Sequence, residues 1–276
     1  MDWNAICAIA AQEVKLNIRN KWMLTFAVVF GGLSLAVAYF GMVTVGTVGV
    51  QNFTRTTASL LNLVLYLMPL EALVMATLSF SGEKGTTELL FSQPISRGNI
   101  LAGKLAGFFA CMVGTTCIGF GTAGIVIALR AGTEGSTRYA VFVGLSLLMG
   151  LTFLSLGSMI AILANNRNKA IGTALFVWFF FVIFYDLLAI GATFLFKERT
   201  ANLFIFLSLF GNPVDLMRVS SLLSLGGATV FGTAGAMLVR FLGGTIFSSL
   251  LLVTALAAWV LVPLFLSARW LSRHDV

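Results

Sequence analysis

The chain has few charged side chains, and that shortage limits the classes of protein to which it can belong. Only 10% of its 276 residues are Asp, Glu, Lys or Arg, whereas soluble domains average about 25%. Hydrophobic residues make up 59%, which is more than a water-soluble core of this size can use. The apolar runs are continuous and do not alternate as β-barrel strands do. We therefore expect an all-α integral membrane protein.

Residues that carry enzyme chemistry are also scarce. The single histidine, His274, lies in the C-terminal tail, which excludes a Ser-His-Asp triad. No group of His, Cys and acidic residues has the spacing of metal ligands. The only Gly-Lys pair, Gly103-Lys104, precedes Leu105, so a phosphate-binding loop is absent as well. We expect no catalytic, metal or nucleotide site on this chain, so any energy comes from another chain or from an ion gradient.

The three cysteines and the net charge of +7 do not point to a special function. Cys111 and Cys117 are six residues apart and do not share a helix face, so we interpret them as small buried apolar residues. A thiol relay or metal site is the alternative. The basic residues form no patch of the kind that binds nucleic acid, so we expect them to lie beside membrane spans and predict no nucleic-acid partner.

Six apolar segments approach or exceed the roughly 20 residues that cross a bilayer. They are residues 23–45, 58–80, 100–129, 139–164, 170–196 and 245–267. No secretory signal peptide is visible, so we expect the first span to be retained. Gly103 and Gly107 form a G-x-x-x-G pattern at the start of the third span, which favours close helix packing.

The N-terminal segment, residues 1–22, has apolar residues at helical spacing. Such a stripe predicts an amphipathic helix lying in the membrane interface. Its members are Trp3, Ile6, Cys7, Ala10, Val14 and Ile18. Gln12, Lys15 and Arg19 fall on the other side of the helix.

The region 197–244 is harder to interpret. Residues 203–210 are apolar but too few to cross, while residues 220–239 are long enough but rich in Gly, Ser, Thr and Ala. We predict a periplasmic or re-entrant helical region here, with a seventh span as the alternative.

The distribution of basic residues predicts the orientation. With six spans, both termini lie on one side, together with ten of the 17 basic residues. That side includes Arg167 and Lys169, which lie in a very short turn, and short loops count most in the positive-inside rule. We therefore expect a multi-pass protein of the bacterial inner membrane with both termini in the cytoplasm.

A polar segment, GEKGTTELLFSQPISR at 82–97, separates the second and third spans. Pro94 disfavours a helical conformation at Gln93, so a short helix here should end by about Ser92. We expect one or two helical turns on the inner membrane surface that present Glu83, Glu88 and Arg97 to water.

The same polar segment resembles the cytoplasmic coupling helix of ABC-2-type permeases, the membrane subunits of one class of ABC exporters. Residues 11–22, AQEVKLNIRNKW, resemble the interfacial helix of that family, and the six-span plan also matches. The resemblance implies one permease domain over 1–276 with a type V ABC exporter fold. It also implies a cytoplasmic ABC ATPase as partner, with ATP and Mg bound on that partner and no cofactor on this chain.

The resemblance implies roles for two sets of residues. Coupling to the ATPase would fall within residues 81–99, on Glu83, Gly85, Thr86, Glu88, Leu89, Leu90, Gln93, Pro94, Ile95, Ser96 and Arg97. In the family such segments dock on the ATPase and pass its closure to the spans. The interfacial helix would contribute Glu13, Arg19, Lys21 and Trp22.

A narrower resemblance rests on FGNPVDLMR at 210–218. Together with the chain length, this stretch is similar to permeases of transporters that serve the maturation of nitrous oxide reductase. That subfamily implies a homodimer, a periplasmic partner protein and work on a copper–sulfur centre, by export or by mechanical action. For Asn212, Pro213, Asp215 and Arg218, docking of the periplasmic partner is one interpretation. The other is a local turn and helix start with an Asp215–Arg218 pair.

Glu71 and Asp186 are acidic residues inside predicted spans. A charge at mid-bilayer costs about 2.5–3.5 kcal/mol on insertion scales, so each should face protein or water. Each is either a gate or pathway residue or a carboxyl that fixes packing, and the Tyr185 hydroxyl is a candidate partner for Asp186. Two alternatives to the nitrous oxide reductase role therefore stay open: an ABC-2 exporter of another cargo, and a gradient-driven transporter that uses Glu71 and Asp186.

Overall fold

The structure is a computed structural model that describes residues 2–43, 50–81, 96–133, 135–164, 166–195, 204–226 and 244–273. Regular secondary structure in these ranges is entirely helical. In chain order the helices are α1 (Trp3–Ile18), α2 (Lys21–Val43), α3 (Val50–Phe80), α4 (Arg97–Ala131), α5 (Ser136–Leu163), α6 (Arg167–Phe179), α7 (Tyr185–Thr193), α8 (Pro213–Gly226) and α9 (Thr245–Arg273).

Six stretches of these helices are long and apolar enough to cross a membrane. They are Lys21–Gly41, Thr56–Phe80, Arg97–Leu129, Ser136–Leu163, Arg167–Thr193 and Thr245–Leu271. The six-span prediction is therefore confirmed, with boundaries within a few residues of those expected. A π-helical turn, Phe180–Phe184, joins α6 to α7 within the fifth span.

Helix α1 ends where the chain turns into the first span. The main chain leaves the helix at Arg19 and Asn20. The Asn20 Oδ1 atom accepts a hydrogen bond of 3.0 Å from the Trp22 backbone N–H, which satisfies one of the free donors at the start of α2. The sequence prediction of a separate N-terminal helix is thus confirmed.

The centre of the bundle is the contact between α3 and α5. Gly157 of α5 allows this close approach, because a Cβ added there would lie 2.7 Å from the Ala76 Cβ and 3.0 Å from the Leu73 carbonyl oxygen. Around it, fully buried side chains such as Met68 and Phe153 fill the core. Small residues at a helix crossing favour tight packing in membranes, where burial of apolar surface adds little.

Polar contacts bring several helix ends to one face of the bundle. The Arg97 guanidinium at the start of α4 donates to the Leu271 carbonyl near the end of α9, at 2.9 Å. Lys104, two turns along α4, reaches Ser79 at the end of α3. Because α1 also packs on the start of α4, we call this side of the bundle the termini face.

The region before the last span contributes helix α8, which has 14 residues. That length is too short to cross a bilayer on its own. Helix α8 packs against α3, α5 and α9, and buries Val214, Leu216 and Met217 completely. Residues 196–203 and 227–243 lie outside the described residues, so the choice between a re-entrant and a periplasmic path for 197–244 stays a prediction.

Candidate functional site

The predicted coupling segment lies largely outside the described residues. Of its eleven predicted site residues, the structure describes Ser96 and Arg97. The Ser96 side chain caps α4 by accepting a hydrogen bond from the Asn99 backbone N–H at 3.4 Å. Arg97 is bound to the Leu271 carbonyl, so its guanidinium joins the start of α4 to the last helix. The roles of residues 83–95 stay predictions.

Lys104 connects α1 to the end of α3. Its Nζ atom lies 3.2 Å from a carboxylate oxygen of Glu13, and both side chains are largely buried. The same ammonium group donates to the Ser79 carbonyl at 3.4 Å and to the Ser79 hydroxyl at 3.3 Å. It also sits 5.3 Å from the centroid of the Phe80 ring, within the range of a cation–π contact.

This arrangement, which we call the Lys104 junction (Glu13, Ser79, Phe80 and Lys104), lies at the helix ends on either side of residues 82–95. Helix α3 ends at Phe80 and α4 begins at Arg97, so residues 82–95 form the connection between them. One ammonium group holds α1, the end of α3 and the start of α4 together. A movement of the end of α3 or the start of α4 would therefore also move α1.

The G-x-x-x-G pattern at the start of α4 is the surface on which α1 packs. A Cβ added at Gly103 would lie 2.8 Å from the Ile9 Cβ, and one added at Gly107 would lie 2.6 Å from the Glu13 Cβ and 2.8 Å from the Ala10 carbonyl oxygen. No side chain larger than hydrogen fits these positions without moving α1. The prediction of close packing is confirmed, and the helix that packs there is α1.

The face of α1 that packs on the protein differs from the predicted apolar stripe. Ile6, Ile9, Glu13 and Asn17 are buried, and the Asn17 side-chain amide donates to the Glu13 carbonyl at 2.9 Å. Trp3 is 67% exposed, so that part of the predicted stripe does not pack on the protein. The buried polar row was missed because a carboxylate beside a lysine of another helix leaves no pattern within one helix.

The other residues predicted for the interfacial helix lie after the end of α1 and at the start of α2. Arg19 and Lys21 are exposed, and Trp22 is 66% exposed. Exposed basic and tryptophan side chains at the start of a span suit the membrane–water interface. Glu13 is therefore the one member of this predicted set that the structure places at the Lys104 junction.

Glu71 is buried in the bundle, with 7% of its surface exposed. Its Oε2 atom makes no hydrogen bond within the part of the chain that the structure describes. It lies nine residues before the end of α3 at the termini face, whereas Asp186 lies 19 residues after the start of α6. At 1.5 Å per residue these carboxyls differ in depth by about 15 Å. A direct relay between them is therefore disfavoured.

Asp186 belongs to a second polar group, far from the termini face. The Arg218 Nη1 atom lies 3.0 Å from Asp186 Oδ2 and 2.7 Å from Asp215 Oδ1. The Asn212 amide donates to Asp215 Oδ2 at 2.9 Å. We call these four residues the outer cluster. The predicted Asp215–Arg218 pair is confirmed, and Arg218 also joins α8 to the fifth span.

The expected hydrogen bond between Tyr185 and Asp186 is wrong. The Tyr185 hydroxyl instead donates to the Ser208 carbonyl at 2.6 Å, because its ring points from α7 toward the chain that leads into α8. Asp186 is satisfied by Arg218. Sequence adjacency on a helix places neighbouring side chains about 100° apart, so they rarely meet each other.

Asn212 holds the start of α8 against the fifth span. The side chain is fully buried, and its amide also donates to the Phe181 carbonyl in the π-helical turn at 3.0 Å. Its Oδ1 atom accepts from the Val214 backbone N–H at 3.0 Å. Pro213 is the first residue of α8, where its missing N–H costs nothing. These contacts match the local interpretation of the motif, and partner docking through these residues stays a prediction.

Two further contacts that the sequence did not indicate fasten this region. The Trp259 indole N–H of α9 donates to the Phe210 carbonyl at 3.0 Å. The Arg138 guanidinium of α5 donates to the Leu225 carbonyl at 2.8 Å, where it satisfies a free acceptor at the end of α8. Helix α8 is thus tied at both ends to spans.

Burial sets the charge state of the outer cluster. It raises the pKa of Asp215 to about 7, and the carboxylate of Asp186 adds to this rise. The Arg218 guanidinium and the hydrogen bond from Asn212 act in the opposite direction, but they do not offset the burial. The Asp215 carboxyl therefore binds a proton near neutral pH.

Comparison with known proteins decides the family. The model of the ABC-2 family transporter protein matches residues 7–276. The chain belongs to the ABC-2 transporter family. Similar curated proteins are the probable ABC transporter permease proteins NosY of Pseudomonas aeruginosa and of Stutzerimonas stutzeri. Each is 34% identical over 278 residues and covers 98% of this chain, which covers 97% and 99% of them.

Membership in this family indicates the general role of the chain. A permease of an ABC transporter is the membrane subunit and not the ATPase, so an ATPase partner and the membrane are implied. The six spans of the structure agree with that assignment. The Lys104 junction lies at the ends of the two helices that residues 82–95 connect.

Proposed function

We propose that this chain is the permease subunit of an ABC transporter that serves the maturation of the copper–sulfur centre of nitrous oxide reductase. ATP hydrolysis, with Mg, takes place on a separate NosF-like ATPase in the cytoplasm. The chain forms a homodimer in the bacterial inner membrane with both termini cytoplasmic, and it acts on a NosD-like periplasmic protein. The observation that carries the proposal is the similarity to NosY proteins over nearly the whole chain.

Coupling is proposed to run through the termini face. Closure of the ATPase dimer moves residues 83–97, which are joined to α3 and α4 by the chain itself. Lys104 passes this movement to α1 through Glu13, and Arg97 passes it to α9 through the Leu271 carbonyl. The Lys104–Glu13 pair is largely shielded from water and the Arg97 bond is partly buried, which makes them stiffer links than exposed ion pairs.

The outer cluster is proposed to receive the movement at the other end of the bundle. Arg218, Asn212, Trp259 and Arg138 fasten α8 to three spans. A shift of those spans would therefore carry α8 with it. The movement would drive either export of a cargo or a mechanical change in the periplasmic partner.

The gradient-driven alternative has less support. It uses Glu71 and Asp186 together, but Asp186 is bound to Arg218 and lies at another depth from Glu71. An ABC-2 exporter of another cargo would use the same links, so it differs from the proposal only in the defect that follows when the gene is deleted.

The experiment that separates the maturation role from export of another cargo is deletion of the gene in its host. Nitrous oxide reductase purified from the deletion strain should lack the absorption bands of its copper–sulfur centre.

A complementing copy should restore those bands, and a copy without residues 83–97 should not. Normal bands in the deletion strain would remove the maturation role and leave an exporter of another cargo. Full complementation by the copy without residues 83–97 would remove the coupling account.

A further inference from the structure

The Glu71 carboxyl is a buried acidic group that neither the Lys104 junction nor the outer cluster uses. Only 7% of the residue is exposed, and its Oε2 atom is enclosed without a hydrogen bond to any residue that the structure describes. The residues one turn away on the same face of α3, Met68 and Met75, are buried and apolar. The carboxyl therefore lies in a region of low dielectric constant, where a charge without a partner is strongly disfavoured.

The contact between α3 and α4 places Cys111 at the depth of Glu71. The Thr116 hydroxyl donates to the Met68 sulfur at 3.8 Å, which fixes the register of the two helices. Because the helices run in opposite directions, Glu71 lies three residues and Cys111 five residues closer to the termini face than this contact. At 1.5 Å per residue their depths differ by about 3 Å. The Glu71 and Glu13 carboxyls both lie within electrostatic reach of the Cys111 thiol.

A row of polar groups leads from Cys111 to the termini face. The Cys111 thiol donates to the Val14 carbonyl of α1 at 4.0 Å. The residue before Val14 is Glu13, which is paired with Lys104. Lys104 in turn lies seven residues before Cys111, on the same face of α4. The cation that the structure describes in this row is thus already bound to the Glu13 carboxylate.

Among the described residues, the other neighbours of Glu71 bring no charge to its depth. Toward the outer cluster the buried face of α3 is apolar, with Leu61, Val64 and Leu65 at most 3% exposed. Tyr66 of α3 points away from the core and is 49% exposed. Helices α2, α5, α6 and α8 also pack on α3. Apart from the outer cluster on α8, their described charged or titratable residues lie near helix ends and are Lys21, Tyr39, Arg138, Tyr139, Arg167 and Lys169.

We propose that Glu71 is a proton-binding site whose proton exchanges with water at the termini face along the row that begins at Cys111. In the conformation described, the carboxyl is a neutral carboxylic acid, because burial removes the water that would solvate a carboxylate. On release, the O–H bond of Glu71 breaks, the proton passes to water and a carboxylate remains. The site does not involve Asp186, and it is independent of the cargo and of the proposed maturation role.

The test is infrared spectroscopy of the purified full-length chain, with whatever partners co-purify, in lipid nanodiscs at neutral pH. A protonated carboxyl has a carbonyl stretching band that a carboxylate lacks. The wild type should show such a band, and Glu71→Gln should lose it. Because Asp215 can contribute a similar band, the comparison is repeated in the Asp215→Asn background. The control is Asp2→Asn, which removes an exposed carboxyl and should lose no band.

Transfer of the protein into D2O tests the route of exchange. The carboxyl band moves to lower frequency when deuterium replaces the proton, so the time course of that shift gives the exchange rate at Glu71. Exchange should be severalfold slower in Cys111→Val, which places an apolar group on the route, and close to the wild-type rate in Cys111→Ser. Cys117→Val is the matched control, because Cys117 is an exposed cysteine of the same helix, and its exchange should equal that of the wild type.

The outcomes that would overturn the proposal are distinct. If Glu71→Gln loses no band in either background, the carboxyl is ionised and the site does not hold a proton. A Glu71 band that never shifts in D2O would contradict exchange with water. Equal rates in the wild type and Cys111→Val, or an equal slowing in Cys117→Val, would contradict the route past Cys111.

Discussion

Lys104 and Glu13 form an ion pair of 3.2 Å that joins the third span, α4, to the N-terminal helix α1. The two residues belong to helices that are far apart in the sequence, and both side chains are largely shielded from solvent. Lys104 also holds the end of α3 through Ser79. The pair therefore links three helices at the ends of α3 and α4, which residues 82–95 connect and where we propose that the ATPase acts.

Removing one member of this pair should be costly. Lys104→Met leaves the Glu13 carboxylate without its partner, and breaking a buried pair in this way costs about 3–5 kcal/mol. The double variant Glu13→Met/Lys104→Met should recover most of that loss, because no unpaired charge remains. Thermal unfolding of the purified protein measures the loss in the single variant and the recovery in the double variant. Equal destabilisation by the single and double variants would show that the charges do not interact.

Gly107 should not tolerate even one added methyl group. Gly107→Ala places a Cβ 2.8 Å from the Ala10 carbonyl oxygen, so α1 must shift, and overpacking of this kind costs about 1–3 kcal/mol. Gly114→Ala is the matched control on the same helix, because nothing lies within 4 Å of a Cβ there. It should be neutral or slightly stabilising. The same thermal shift in both variants would contradict the observed packing.

Arg218 should control how firmly α8 is attached. Arg218→Gln leaves Asp186 and Asp215 facing each other without a guanidinium, so α8 should loosen from the fifth span. Hydrogen exchange of the backbone amides in 213–226 should become faster, while exchange in α1 stays unchanged. Asp186→Asn/Arg218→Gln should restore part of the protection. Unchanged exchange in the single variant would mean that the other ties of α8 suffice.

The outer cluster should make stability depend on pH. The folded pKa of Asp215, about 7, lies above the ordinary value of 3.8, so the folded state binds the proton more tightly than the unfolded state. The stabilising contribution is complete below about pH 4 and is lost as the pH rises through 7. The midpoint temperature of thermal unfolding should therefore decrease as the pH is raised from 5 to 8. Asp215→Asn should remove this part of the slope, and an unchanged slope would contradict the assignment.

Helix positions were predictable because each span carries its own signal. A continuous apolar run identifies a span without any knowledge of its neighbours, and the glycine pattern at 103 and 107 identified a close contact. The sequence did not show that α1 was the partner in that contact. It also did not show that Lys104 pairs with Glu13, although a lysine between two packing glycines was a usable signal.

Contacts between distant segments could not be predicted from the sequence, and the reason is physical. Asp186 was expected to pair with its neighbour Tyr185, but the partner is Arg218, 32 residues away. Which side chains meet depends on helix rotation, and the π-helical turn at Phe180–Phe184 changes the rotation of α7 relative to α6. The hydrogen bond from the Asn212 amide to the Phe181 carbonyl depends on the same turn.

The measurement that tests the central claim most directly is co-purification of the chain from its native membrane, with Glu83→Lys/Glu88→Lys as the test variant and Asp2→Lys as the control. The account predicts that an ABC ATPase co-purifies with the wild type and with Asp2→Lys, and that it is lost from Glu83→Lys/Glu88→Lys. Retention of the ATPase by the double variant, or its absence from the wild type, would contradict coupling through this segment.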